Sequence, residues 1–107
     1  MSYAVYFVDE AEKDLLEIYE YVKESGYPLT AKNLFSQIRK ACADLSEIPE
    51  RGRTPPGLER IGVFEYREIL VKVYRIIYQI IGKAVFIHCI LDGRRNVQEI
   101  LQQRILR

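Results

Sequence analysis

The segment Phe64–Leu91 limits the fold more than any other part of the chain, because it is dense in Ile, Val, Tyr and Phe. Gly82 and Lys83 separate two apolar runs and are typical of a two-residue hairpin loop. A further strand, Phe64–Val71, precedes this hairpin and joins it through Lys72. The sequence therefore predicts a three-stranded antiparallel meander.

The hairpin register predicts which side chains share a face, since side chains alternate between faces along a strand. With Gly82 and Lys83 as the loop, Tyr78 pairs with Ile87 and Arg75 with Ile90. One face is then almost wholly apolar and is expected to form the core, whereas the other mixes polar and apolar groups and is expected to remain open. The expected core face comprises Ile76, Tyr78, Ile80, Val85, Ile87, Cys89 and Leu91. The expected open face comprises Arg75, Ile77, Gln79, Phe86, His88 and Ile90.

The length of the connection at Lys72 decides where Arg67 points. A three-residue connection places Arg67 beside Arg75 on the open face. A two-residue connection turns Arg67 toward the core, where an unpaired guanidinium is costly. We therefore expect the three-residue connection.

Length and composition narrow the classes of protein. At 107 residues the chain has room for one core, so a single domain over residues 1–107 is expected. A net charge of +1 argues against a generally basic nucleic-acid-binding surface. The start of the chain lacks the pattern of a signal peptide, and no charge-free apolar run reaches about 18 residues, which predicts a cytoplasmic protein without a membrane span. Cys42 and Cys89 lack metal-binding or CxxC spacing, so we expect two buried thiols and neither metal nor cofactor.

The first half of the chain predicts a strand followed by two helices. The strand is expected over Tyr3–Val8, with Asp9 as the cap of the first helix and Ser25-Gly26 as its stop. A second amphipathic helix begins near Pro28 and is expected to run to Pro49. Two such helices form an antiparallel hairpin that covers one face of the sheet and leaves the other uncovered.

The remaining segments are a loop and a short last helix. The segment Pro49–Gly62 has the Pro, Gly and charge content of a loop, with Leu58 and Ile61 as apolar anchors. Asn96 is expected to cap the last helix, because Glu99 follows it by three residues. The predicted fold class is α+β, in the order strand, helix, helix, three-stranded antiparallel meander, short helix.

This order, with four local motifs, resembles the RelE/ParE superfamily of toxins from bacterial type II toxin-antitoxin modules. The motifs are AEKDLLEIYEYV in the first helix, LSEIPERGR after the second, EYREILV with YRIIYQI in the sheet, and ILDGRRNVQEIL at the end. The resemblance implies a growth-inhibiting toxin, of the kind associated with plasmid stabilisation. It also implies a cognate antitoxin as partner, in a possible hetero-oligomer.

Members of the superfamily act on one of two molecular targets. If this chain acts on the first target, messenger RNA, it is an enzyme. RelE-like members cleave messenger RNA on the ribosome without a metal, and the resemblance assigns a phosphate-binding role to Arg67, Arg75 and Arg95. Such an mRNA interferase must also move protons. Yet Ile69 stands where a second lysine is expected, and Leu101 where a tyrosine is expected. His88 is a candidate replacement base because its ordinary pKa suits the task.

The second target makes the chain a binding protein. ParE-like members inhibit DNA gyrase by protein contact, and the missing proton-transfer groups favour this branch. The residues expected to bind the target or the antitoxin are Arg67, Arg75, Gln79, His88, Arg94 and Arg95. An acidic or apolar antitoxin segment is expected to cover the arginines.

A structural role for these arginines remains an alternative. Arg67, Arg75 and Arg95 would then pair with Glu65, Glu68, Asp92 or Glu99 and stabilise an inactive or purely structural domain.

Overall fold

The computed structural model describes residues 2–105, so Met1, Leu106 and Arg107 of the expected domain lie outside the described residues. The elements follow the order expected from the sequence, with two short helical turns added in the loop before the meander. They are β1 (Ala4–Phe7), α1 (Asp9–Glu24), α2 (Pro28–Asp44), a 3-10 turn (Pro49–Arg51), α3 (Pro56–Glu59), β2 (Tyr66–Val71), β3 (Tyr74–Ile81), β4 (Ala84–Asp92) and α4 (Val97–Arg104).

The four strands form one mixed sheet in the order β1-β4-β3-β2. The three strands β2, β3 and β4 pair antiparallel in sequence, which confirms the predicted meander and the α+β class. β1 adds to the edge of β4 in parallel orientation, with Ala4 opposite Ala84 and Phe7 opposite Ile87. The first strand of the chain therefore lies at an edge of the sheet.

The helices α1 and α2 pack together on one face of the sheet, as expected. Their apolar sides bury Leu15 and Ile38 against Ile76 and Tyr78 of β3. Burial of these side chains is the main source of stability for this layer, since each large apolar side chain contributes about 1.5–3 kcal/mol.

The structure confirms one of the predicted ends of α1 and α2 and contradicts two others. Gly26, with φ of 99°, follows the C-cap of α1, which confirms the expected stop. The expected cap at Asp9 was wrong, because Val8 occupies the N-cap and Asp9 is already helical. α2 ends at Asp44, earlier than the expected boundary at Pro49, because the chain turns after Leu45 and the Ser46 carbonyl accepts a hydrogen bond from the backbone of Tyr3.

A β-bulge at His88 changes the predicted register. Gly82 and Lys83 form the expected loop, and Tyr78 pairs with Ile87, but Ile77 then pairs with Cys89 and leaves His88 without an opposite residue. One extra residue in a strand moves every later side chain of that strand to the opposite face of the sheet. The expected faces of Cys89, Ile90 and Leu91 were therefore wrong: Ile90 belongs to the core under the helical hairpin, and Cys89 and Leu91 face the other side.

The connection between β2 and β3 has two residues, Lys72 and Val73, because Val71 pairs with Tyr74. Lys72 adopts φ of 53°, the left-handed geometry that tight hairpin loops require. The expected three-residue connection was wrong. The shorter loop puts Arg67 opposite Tyr78, on the face that carries the helical hairpin.

The second face of the sheet is partly covered by the chain itself, contrary to expectation. Leu58 of α3 and Val97 and Leu101 of α4 pack against Ile77, Cys89 and Leu91 to form a second, smaller core. Leu58 is fully buried, which confirms one expected anchor, whereas Ile61 is 54% exposed and does not act as one.

Asn96 caps α4 as predicted, since its side-chain oxygen accepts a hydrogen bond from the backbone N–H of Glu99. This cap fixes the start of the helix that covers the second core. Among residues 2–105 no helix is long and apolar enough to cross a membrane.

Candidate interaction cleft

The outer edge of β4 is where α1 and α4 meet. β1 ends opposite Ile87, and beyond that point no described strand flanks β4 on this side. Two side chains satisfy the exposed backbone instead: the Asp14 carboxylate accepts from the N–H of Ile90 at 3.0 Å, and Arg104 donates to the carbonyl of His88 at 3.0 Å. Side chains from two helices thus replace a fifth strand.

Arg104 joins α4 to α1 through ion pairs. Its guanidinium lies 3.0 Å from Asp14 and 3.3 Å from Glu10, and only 17% of its side chain is exposed. Burial alone would lower the pKa of Arg104, but its hydrogen bonds with Asp14 and the neighbouring negative charge raise it instead. A charged hydrogen-bonded contact with this degree of burial holds the two helices at a fixed separation.

A cleft of about 770 Å³ opens beside this contact, between α1, the end of β4 and α4. Its lining combines apolar side chains with charged ones, which is the usual character of a binding cleft. Tyr21 stands at the cleft and is 74% exposed. The lining residues are Asp14, Glu17, Ile18, Tyr21, Tyr74, Ile90, Leu91, Asp92, Arg94, Arg95, Ile100, Gln103 and Arg104.

Most charges around the cleft are already paired. Arg94 contacts both oxygens of Asp92, at 3.0 and 2.8 Å, and hydrogen bonds from Arg94 hold the pKa of the Asp92 carboxyl at about 2. Glu17 and Arg95, in contrast, make no ion pair within residues 2–105. Glu17 on α1 and Arg95 after β4 are therefore available to a bound partner, in a cleft that is also lined by apolar side chains.

The structure separates the two arginines that the sequence placed together. Arg67 lies on the helical side of the sheet and donates to the backbone carbonyls of Gly52 at 2.8 Å and Glu50 at 3.3 Å. Arg75 lies on the other side and contacts the buried carboxylate of Glu68 at 2.6 Å. The expected common face for Arg67 and Arg75 was wrong. Two backbone carbonyls, and not an acidic side chain, accept hydrogen bonds from the inward-facing guanidinium of Arg67 and offset its loss of contact with water.

Glu68 gives partial support to the structural alternative considered from the sequence. It is 2% exposed and contacts both Arg75 and Arg53. The pairing of Arg75 with an acid was foreseen as a possibility, but the sequence did not show that Glu68 would be the buried member.

His88 and Gln79 occupy the uncovered part of the second face. The Nε2 atom of His88 lies 3.1 Å from the side-chain oxygen of Gln79, and its ring packs edge-on against Tyr66. Burial lowers the pKa of His88, with a smaller contribution from the positive charge of Arg104. The imidazole is therefore neutral near pH 7 and held by its neighbours.

Of the six expected site residues, only Arg94 and Arg95 line the cleft. Asp14 and Arg104, which build the cleft wall, were not predicted from the sequence. Asp14 sits within an acidic helix surface that predicts only solvent exposure, and Arg104 lies in the last turn of α4, where a base is common at a helix C-terminus. Their separation of 90 residues gives no sequence signal. Within residues 2–105 no group of His, Cys, Asp and Glu side chains could hold a metal ion.

Comparison with known families gives one match that covers most of the chain. Residues 5–97 match the family described as the ParE toxin of the type II toxin-antitoxin system, parDE. No curated protein sequence matches the chain.

Solved structures of toxin-antitoxin proteins share the fold, and three of them serve as examples. A chain of the chromosomal ParDE toxin-antitoxin system from P. aeruginosa superposes with a TM-score of 0.69 at 19% identity, over 83% of this chain and 94% of that one. A chain of the RelBE2 toxin-antitoxin complex from Mycobacterium tuberculosis gives 0.63 at 20% identity, over 84% and 96%. A mutant of the E. coli toxin RelE in the free state gives 0.67 at 18% identity, over 99% and 97%. These likenesses are similar in strength across both branches, so they establish the fold and do not separate the branches.

Proposed function

The chain belongs to the ParE toxin family of type II toxin-antitoxin systems, and on that basis we propose that it arrests growth by protein contact with DNA gyrase. We also propose that it acts in the cytoplasm, where a cognate antitoxin binds and silences it. Under this proposal the toxin is a binding protein whose surface, and not a set of reacting groups, carries the activity.

The placement of Arg67 and Arg75 is the observation that carries this proposal. A phosphate clamp requires cationic groups that converge on one point, because the charge of a phosphorane is stabilised only at short range. Arg67 and Arg75 point to opposite sides of the sheet, and each is bound to an acceptor of the chain itself. Arg95 lies in a third place, at the cleft.

The side chains at the expected proton-transfer positions are also poorly suited to a nuclease. Leu101, at the position where the nuclease branch carries a tyrosine, is buried in the second core. His88 has the chemistry of a base, but its Nε2 faces Gln79, and Arg67 and Arg75 do not join it in a shared anion site. These features support a function that depends on surface contact.

We assign the gyrase contact to the cleft between α1 and α4. The cleft offers apolar side chains for a partner's side chains, and two charges of opposite sign, Glu17 and Arg95, that make no ion pair within residues 2–105. Tyr21 adds a large exposed aromatic side chain, the kind that dominates the energetics of many protein interfaces. A protein segment with an apolar side and an acid near Arg95 fits this description.

The proposal is tested with purified toxin in two parallel assays. One measures inhibition of DNA supercoiling and accumulation of cleaved DNA by gyrase; the other measures ribosome-dependent cutting of messenger RNA. We expect gyrase inhibition and no cutting. We expect the double variant Tyr21→Ala/Arg95→Ala to weaken gyrase inhibition at least about tenfold, as loss of central interface contacts does.

Lys40→Ala provides the matched control, because Lys40 is an exposed residue on α2 whose one ion pair within residues 2–105 is with Asp44. This variant should inhibit gyrase like the original chain. Ribosome-dependent RNA cutting by the original chain would overturn the proposal in favour of the nuclease. Absence of both activities and of growth arrest would overturn it in favour of the structural alternative.

A further inference from the structure

The outer side of β1 carries backbone groups that the sheet does not use. Ala4 donates its backbone N–H to the carbonyl of Lys83, just before β4, at 3.1 Å, and therefore faces β4. Backbone groups alternate between the two sides of a strand, so Val5 and Phe7 face outward. Among residues 2–105 no strand lies beyond β1 on this side. The N–H and C=O groups of Val5 and Phe7 are therefore open to pairing.

The segment after α2 covers only the start of this edge. The backbone N–H of Tyr3 donates to the carbonyl of Ser46 at 2.8 Å. Past Tyr3, no further backbone hydrogen bond within residues 2–105 closes the outer side of β1. The open stretch thus runs from Val5 to Phe7 and ends just before α1 begins.

β1 lacks the side-chain features that keep an edge strand from pairing with another chain. Such edges are usually protected by charged residues, by proline or by a bulge. The segment from Ser2 to Val8 contains no charged residue and no proline, and β1 pairs with β4 without a register shift. The part of β4 beyond β1 is, in contrast, blocked by Asp14 and Arg104. The edge of β1 is therefore suited to strand pairing.

Tyr6 adds exposed aromatic surface beside the open backbone. Its ring stacks on that of Phe86, with 5.5 Å between the ring centroids, and 53% of Tyr6 is exposed. Phe86 is opposite Gln79, and Gln79 is opposite Tyr66, so a row of side chains crosses the second face of the sheet and ends at Tyr6. An exposed aromatic ring at an open strand edge is typical of a protein interface.

We propose that β1 pairs with β1 of a second copy of this chain, antiparallel, about a two-fold axis at Tyr6. Val5 of each copy exchanges both of its backbone hydrogen bonds with the partner's Phe7. Tyr6 faces the partner's Tyr6, so each ring covers the other. The 4-stranded sheet of each copy then becomes half of one continuous sheet.

A second copy fits this edge better than a charged partner strand. Val5 and Phe7 are placed symmetrically about Tyr6, so an identical strand supplies a donor for every acceptor, as a two-fold interface requires. The paired strands carry no charge, so the two copies bring no like charges together along them. The same residues therefore complete both halves of the interface.

The pairing is compatible with the rest of the fold. In this register the partner's Val8 lies opposite Ala4, and the partner strand leaves the sheet there because α1 follows Val8 directly. Strand pairing thus stops before it reaches the segment that covers Tyr3. The cleft lies along β4 past the end of β1, outside the paired strands. The inference is therefore independent of the proposed contact with gyrase.

Engineered cysteines test the register of the pairing. The Cα atoms of Tyr6 and the partner's Tyr6 should lie about 4.5 Å apart, within the range that a disulfide spans. Tyr6→Cys should therefore form a cross-linked dimer under mild oxidation, whereas the buried thiols of Cys42 and Cys89 should not. Ala4→Cys is the matched control, because Ala4 is exposed on the same face of β1 but lies about 14 Å from its own copy in the dimer.

Analytical ultracentrifugation of the purified chain tests pairing without a cross-link. We expect the average mass to rise from one chain toward two as concentration increases, since a short paired edge forms a weak dimer. Val5→Pro should lower the association constant at least about tenfold, because it removes an outward N–H and leaves its bonding partner unsatisfied. Val5→Ala is the matched control, since it shortens the side chain, keeps the N–H and should associate like the original chain.

Tyr6→Lys provides a second variant that does not depend on proline. It changes an exposed side chain and places like charges opposite each other at the axis, so it should also weaken association. Urea denaturation of each variant shows whether it is folded. A mass of one chain at every concentration up to about 1 mM would overturn the inference. Equal cross-linking of Tyr6→Cys and Ala4→Cys would overturn it too, as would equal association of Val5→Pro and Val5→Ala.

Discussion

Arg67 and Arg75 project from opposite faces of the sheet, although they sit on adjacent strands. Arg67 is opposite Tyr78 and donates to two backbone carbonyls, whereas Arg75 is opposite Leu70 and binds Glu68. The two-residue loop at Lys72 and Val73 creates this separation. Each arginine therefore has a structural role, and several consequences for stability can be measured.

Removal of Arg75 should destabilise the fold through Glu68. Arg75→Ala leaves a carboxylate that is 2% exposed with Arg53 as its remaining partner. We expect a loss of about 3 kcal/mol in the free energy of unfolding, measured by urea denaturation, because a buried charge that loses a partner retains its desolvation cost. The double variant Glu68→Gln/Arg75→Gln should lose less, since no buried charge remains. Equal losses in both variants would contradict this explanation.

Tyr78→Phe should loosen the corner at Pro49–Gly52. The buried hydroxyl donates to the Pro49 carbonyl at 2.6 Å and accepts from the Gly52 N–H at 2.9 Å. The substitution leaves both backbone groups unsatisfied, so we expect a loss of about 2 kcal/mol in the free energy of unfolding. Hydrogen exchange at Gly52 should accelerate more than exchange in α1; uniform protection in the variant would show that the hydroxyl does not hold the corner.

Acid should weaken the Asp92–Arg94 contact only at low pH. Hydrogen bonds from Arg94 lower the pKa of Asp92 from 3.8 to about 2. The contact therefore contributes fully above pH about 4 and is lost as pH falls toward 2. In Arg94→Gln the pKa of the carboxyl should rise toward its ordinary value, while the backbone N–H of residue 94 and the charge of Arg95 still lower it; NMR of the Asp92 side chain would detect the rise. A titration midpoint that stays near 2 in the variant would mean that another group sets it.

Both thiols should resist modification while the protein is folded. Burial raises the pKa of Cys42 to about 12 and that of Cys89 to about 11, with Arg39 and Arg104 respectively opposing the shift. The reactive thiolate is therefore scarce at pH 8. We expect reaction with a thiol reagent to occur at the rate of unfolding in the native protein and at once in urea. Fast reaction of either cysteine in the native protein would contradict the burial of both thiols.

The amino-acid sequence alone determined the elements and their order. Helical periodicity specified α1 and α2, Gly82 and Lys83 specified the central hairpin, and Asn96 specified the start of α4. These signals are local, because each depends on residues within a few positions of one another. They were sufficient for the α+β class and, before the bulge at His88, for the face of the central hairpin that the helices cover.

The tertiary structure decided the faces and the site. The bulge at His88 moved Ile90 and Leu91 to the faces opposite those predicted. The loop at Lys72 and Val73 is one residue shorter than predicted, and it moved Arg67 to the opposite face. Sequence periodicity does not register a bulge or the length of a loop, and strand faces change completely with a shift of one residue. The cleft depends on Asp14 and Arg104, which are 90 residues apart in the chain and meet where β4 extends past the end of β1.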